Sequence, residues 1–161
     1  MKRAAAILAL TFVVSAFAGC SNNADTNSAA NRAGVSHDDA NTANTNVEEL
    51  GVLINVPYES EEASWRELKD RKKVIAVLRF PEAEANRLVN DASQIAPPLS
   101  AIITSESWFP PELIAQSSVS GEDTLSGQSY PANAFLQPPY TEGRITRIEN
   151  TDYFVLELNA K

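Results

Sequence analysis

Apolar and polar positions fall along this chain in four different ways, and each predicts a different kind of segment. Ala4 to Ala18 run without a charge behind Lys2 and Arg3. Ser21 to Asn46 hold a single large aliphatic residue, Val35, and no aromatic ring. Leu50, Leu53 and Ile54 recur three and four apart behind Glu48 and Glu49 and ahead of Pro57, the spacing of a short helix within Val47–Val56. A strand over Gly51–Val56 fits the same composition. From Lys73 to Phe80 the period changes to two, with Val74, Ala76, Leu78 and Phe80 on one side and Ile75, Val77 and Arg79 on the other. Two largely apolar faces predict a central strand.

The other elements follow from the same two periods. Ala63–Leu68, around Trp65, alternates as a strand, and Lys69–Lys73 is a charged turn. Pro81 suits a first helical position, with Glu82 and Glu84 at the positive end of the dipole. Ala85, Leu88, Val89, Ala92 and Ile95 then form an apolar stripe that Pro97 and Pro98 terminate. This strand-then-helix block, Lys73 to Ile95, is expected to nucleate the core. Leu99–Thr104 predicts a further strand, and Trp108–Ile114 a short helix entered through Pro110 and Pro111. Ser117–Gly143, rich in serine, glycine and proline, reads as a long loop held by its own aromatic rings, with room for a short strand near Leu125–Tyr130. Arg144–Glu149 and Tyr153–Leu158 predict a closing hairpin whose Phe154, Leu156 and Leu158 face inward. The fold class expected is α+β, a mainly antiparallel sheet of about four to five strands with two to three helices packed on it.

The charge-free opening changes where this domain is expected to work. A basic start, an apolar middle and a small-residue end are the parts of an export signal. The run is too short for a retained span, which needs roughly 20 apolar residues. Ala18-Gly19-Cys20 resembles the small-residue box of a bacterial lipoprotein precursor, in which the cysteine is lipidated and heads the mature chain. The resemblance covers residues 1–21. It implies a signal peptide over 1–19 and a lipid on Cys20; composition then gives a polar linker over 20–46 and one globular domain over 47–161. Ser21, after the cysteine, implies sorting to the outer membrane rather than the inner one. Ala16-Phe17-Ala18 is also an ordinary small-x-small cleavage site, and cutting there would release a soluble chain beginning at Gly19. Cys20 is the only cysteine. An unpaired thiol in an oxidising compartment favours some other chemistry for it, and no internal disulfide supports the domain. The linker buries too little apolar surface to offset its ordering entropy, and its root-mean-square reach is about 28 Å.

Charge narrows the partners. Loss of residues 1–19 takes two of the 13 basic residues and none of the 21 acidic ones, so the net charge moves from −8 to −10. A basic footprint for nucleic acid is missing, and anionic lipid headgroups repel such a surface. Membrane contact is therefore expected through the lipid alone.

Candidate chemistry is sparse. The one histidine, His37, lies in the linker beside Asp38 and Asp39 and reads as a solvated polar cluster, which removes Ser-His and Cys-His nucleophile arrangements from the domain. Glu59, Glu61, Glu62, Glu122 and Asp123 lack the acid-and-glycine ladder of a calcium loop and read as surface. No metal, cofactor or catalytic residue is assigned. Lys69, Arg71, Lys72 and Lys73 are either a docking patch or a soluble hairpin tip. Arg79, on a central strand, is either capped by a buried acid or exposed at the sheet's end. The residues singled out for partner binding are Trp108, Phe109, Tyr130, Phe135 and Tyr140, which would make a peptide or glycan groove if they shared one face. Otherwise they pin the long loop to the sheet. The functional expectation is a non-enzymatic envelope domain that binds a protein or glycan partner. The competing one is a small hydrolase of envelope glycan using carboxylates alone, which needs two of them about 5–9.5 Å apart.

Overall fold

The computed structural model describes residues 42–161. The segment expected to be an export signal, Cys20, Ser21 and His37 lie outside the described residues. Near the start of the described residues Asn44 and Asn46, at the end of the asparagine-rich stretch, are held by hydrogen bonds. Asn44 exchanges two backbone hydrogen bonds with Trp65, at 2.9 and 2.8 Å. Asn46 caps helix α1 (Val47–Leu53): its Oδ1 accepts from the N–H groups of Glu48 and Glu49. The Glu49 carboxylate in turn accepts from the side chains of Asn44 and Asn46, which satisfies the polar groups at the helix entrance.

Six strands make one antiparallel sheet. They are β1 (Glu62–Leu68), β2 (Lys73–Arg79), β3 (Leu99–Thr104), β4 (Thr124–Pro131), β5 (Tyr140–Ile148) and β6 (Tyr153–Ala160), in the spatial order β1-β2-β6-β5-β4-β3. Two longer helices, α2 (Glu82–Ile95) and α3 (Pro111–Ser120), complete an α+β fold with three helices. The sheet has one or two strands more than its sequence announces. β2 is central, flanked by β1 and β6, as its two apolar faces require.

Side-chain alternation sends these strands into two clusters. On the first face Val74, Ala76, Leu78 and Phe80 join Phe154, Leu156, Leu158 and Ile145 under α1, α2 and the 3-10 turn Asn133–Phe135. Ala85, Leu88 and Ala92 of α2 are buried there, whereas Ile95, at the helix end, is more than half exposed. On the second face Ile75, Val77, Val155, Ile148, Leu125 and Ile103 pack under Trp108, Phe109 and Leu113 of the α3 segment.

The stretch expected to be a long loop is where the structure corrects the sequence. The short strand allowed for near Leu125–Tyr130 is there, as a full inner strand over Thr124–Pro131 paired on both sides, and β5 begins at Tyr140 rather than Arg144. Its composition, Thr-Leu-Ser-Gly-Gln-Ser-Tyr-Pro, has weak strand propensity, and pairing with two neighbours overrides it. Gly127 is required there: a Cβ would run into Arg147 O and Thr146 Cγ2 on β5. Gly143 plays the same part on β5, against Glu157 O and Leu158 Cδ2. Helix α3 starts at Pro111 and runs on to Ser120, later at both ends than Trp108–Ile114. Trp108 and Phe109 precede it as buried plugs, and Gly121 ends it in the left-handed region at φ 73°. Val47–Leu53 is helix, so the strand option at Gly51–Val56 is excluded. Pro81 sits one residue before α2 rather than inside it.

Candidate functional site: a half-open trough on the second face

Cross-strand register divides the second face into an apolar part and a polar part. Val77 pairs with Val155, and Arg79 with Tyr153, in the region that Trp108, Phe109 and Leu113 cover. One step along the strands the neighbours become Arg66, Ile75, Glu157, Arg144 and Pro131, on β1, β2, β6, β5 and β4. The next row is Leu68, Lys73, Asn159 and Glu142. A sheet surface of this kind, left partly uncovered, forms a trough with two lobes.

The larger lobe has a volume of about 490 Å³, with Ala96, Pro97, Leu99 and Pro131 as an apolar wall and Glu142, Asn159 and Ser129 as polar groups. The smaller lobe, about 290 Å³, lies against Ile75, Val155, Ile103 and Phe109 and carries Arg71 and Glu106. Lys73, Arg144 and Glu157 line both. Glu157 is the hub: Lys73 Nζ donates to its Oε1, and Arg144 Nε lies 3.5 Å from its Oε2. Its side chain is 18 % exposed and that of Arg144 61 %, so the arginine is the member turned to solvent. Counting both lobes, the charged lining is Arg71, Lys73 and Arg144 against Glu106, Glu142 and Glu157. The trough is thus charge-balanced on a strongly acidic molecule.

The five aromatic residues expected to bind a partner are not brought together. Trp108 and Phe109 meet edge to face, 4.7 Å between centroids, in the second-face cluster. Tyr130, Phe135 and Tyr140 belong to the first-face cluster. All five are buried, as are the other five aromatic rings among the described residues. They hold the chain between β3 and β5 in place, which is the second of the two roles the sequence allows them.

Three buried tyrosines spend their hydroxyls on carboxylates. Tyr140 donates to Glu67 at 2.9 Å, Tyr153 to Glu62 at 3.0 Å and Tyr58 to Asp91 at 3.1 Å. Burial, reinforced by the Glu67 hydrogen bond and charge, pushes the Tyr140 phenol up to about 12. Burial raises Tyr58 and Tyr153 too; Asp91 adds to the first, and Arg79 opposes the rise in the second. Arg79 is answered by two acids at the surface rather than a buried one: Glu61 at 2.9 Å and Glu62 at 2.7 Å. Hydrogen bonding to Glu61 is the main reason its guanidinium is held protonated beyond its usual range.

Of the cationic run Lys69–Lys73, Arg71 and Lys73 reach the trough, and Lys72 takes the left-handed conformation at the hairpin turn. Glu142, Arg144, Glu157 and Leu99 were not singled out by sequence reasoning. Their signal is faint but present, since Glu157 interrupts the apolar run Tyr153–Leu158 and lies directly opposite Arg144 once β5 and β6 pair. No group of three or more His, Cys, Asp or Glu side chains among the described residues is placed to hold a metal ion. In comparisons with known proteins, no family model matches the chain, and no match is found among curated proteins or solved structures.

Proposed function

We propose that this is an exported protein, anchored by a lipid on Cys20 with the outer membrane the preferred site, whose domain binds a segment of another envelope protein in the trough. The observation that carries a protein partner over a glycan is the burial of every aromatic ring among the described residues. Sugar-binding surfaces rely on exposed rings, whose large contact area sugars stack on. What the trough offers instead is an apolar wall at Pro97 and Leu99 beside the exposed fork of Arg144, which suits alternate side chains of an extended peptide. Its charge balance suits a partner of mixed or no net charge.

One observation favours a second reading, that of a carboxylate-dependent glycan hydrolase: Glu142 and Glu157 line the same lobe. Against it, both oxygens of Glu157 already meet cations. Turnover of envelope glycan that disappears in Glu142→Gln would install that reading in place of binding.

Two measurements test the proposal. Mass spectrometry of the mature protein should find a lipid-modified Cys20 as the first residue; a chain beginning at unmodified Gly19 would overturn the anchor. Affinity capture from native membranes should recover a partner with the wild-type chain and lose it with Arg144→Glu and with Leu99→Asp. Equal recovery by these folded variants would remove the trough from the binding surface.

A further inference from the structure

The two edges of the sheet are treated differently. β1 carries Glu62, Arg66 and Glu67 and is partly covered by Asn44. β3, at the other edge, is Leu-Ser-Ala-Ile-Ile-Thr, with no charge, no bulge in its pairing to β4 and no partner on its outer side among the described residues. Leu99 is 70 % and Ile102 73 % exposed. Natural edge strands are usually blunted by charge, proline or a bulge; β3 has only Pro97 and Pro98 ahead of it.

Which backbone groups face outward follows from one hydrogen bond. Ser105 N–H donates to Asp123 O at 2.8 Å, in register with the β3–β4 ladder. Inward-bonding positions alternate from there, so Ile103, Ala101 and Leu99 bond to β4, while Ser100, Ile102 and Thr104 present their N–H and C=O groups outward. We propose that β3 pairs with β3 of a second copy, antiparallel about a two-fold axis through Ile102. Outward groups must meet outward groups, and opposed side chains must share a face. Both conditions hold when Ile102 meets its own copy and Ser100 meets Thr104, which brings every outward group between Ser100 and Thr104 into the new ladder. In that register the nearest acid beyond the strand, Glu106, stands opposite Pro98 of the other copy, not opposite another acid. A strip without charge on a molecule of net −8 to −10 lets two copies approach without direct repulsion. The exposed Ile102 side chains cover each other on the first face, and two six-stranded sheets become one continuous sheet. Pairing of a single strand buries less than a permanent interface does, so the dimer is weak and strengthens as salt screens the overall charge.

This inference does not depend on the trough binding a partner, although Ile102 also touches the rim of the smaller lobe. The experiment uses the full chain in purified form, with no partner present. On oxidation, Ile102→Cys should give a disulfide-linked homodimer, since opposed Cα atoms in a hydrogen-bonded pair lie about 5.5 Å apart, within disulfide range. Val119→Cys, exposed on α3, should not, and the wild-type chain controls for Cys20. In sedimentation, self-association should rise between about 50 and 500 mM salt, and Ile102→Lys should weaken it about tenfold or more with an unchanged melting temperature. Three results would overturn the proposal: a chain monomeric at every salt concentration, equal cross-linking by Ile102→Cys and Val119→Cys, or association that Ile102→Lys leaves intact.

Discussion

The two faces of the sheet differ in how completely they are closed. On the first, α1, α2 and the Asn133–Phe135 turn leave the central strands dry from Ala63 across to Tyr130. On the second, the ten-residue helix α3 and a Trp-Phe pair cover the apolar rows, and the next rows are filled by Lys73, Glu157, Arg144 and Glu142 facing a trough. Both faces use the same strands. The difference lies in the residues that alternate outward from them, and it separates the positions that set stability from those free to serve a partner.

The sharpest way to break this contrast is to cut into each face. Phe154→Ala, fully buried against Phe80, should cost about 3–5 kcal/mol in urea unfolding. A cost under about 1 kcal/mol would mean that the first face is not the main core. Tyr140→Phe comes next, at about 1 kcal/mol near neutral pH, from the lost hydrogen bond to Glu67. Its pH signature is more specific. A phenol held up to about 12 in the folded chain, above the ordinary 10, contributes stability that is fully present below pH 10 and is lost as pH climbs through 12. Melting temperature followed across that window should fall in the wild type and fall less in Tyr140→Phe.

Thr146→Val tests the second face from the other direction. Thr146 is fully buried, and its hydroxyl has no hydrogen-bond partner. Replacing it with a side chain of the same shape should raise stability by about 1 kcal/mol. Loss of stability would point to a hydroxyl engaged in the folded protein. The smallest effect is expected in the open half: Arg144→Ala, mostly exposed, should change stability by less than about 0.5 kcal/mol. A drop of several kcal/mol there would make the trough structural, with nothing left over for a partner.

Much of this was legible because the strongest periods coincide with the most buried elements. Val74–Phe80 and Phe154–Leu158 announced their faces without help, and the α2 stripe erred only at Ile95, the last residue of the helix, which is more than half exposed. β4 showed only as room for a short strand near Leu125–Tyr130, because its order comes from neighbours on both sides: serine, glycine and glutamine hold a strand there while β3 and β5 bond to it. The trough was hidden for a related reason. Lys73, Arg144 and Glu157 are far apart in the chain, and only the β2-β6-β5 register brings them together. Aromatic content left two roles open. Rings could form a binding surface or pin the chain, and at Trp108 and Tyr140 they take the second role, serving the two cores on opposite sides of the sheet.

The pairing of Asn44 with Trp65 has a mechanical consequence. Any pull arriving from the N-terminal side meets this two-bond bridge, and the Trp65 Nε1 hydrogen bond to Asn46 O at 3.0 Å, before it reaches helix α1. The force enters at β1, the strand farthest from β3 in the sheet order. A load applied there would therefore be taken up at one margin of the sheet, and the opposite margin, at β3, would keep its shape.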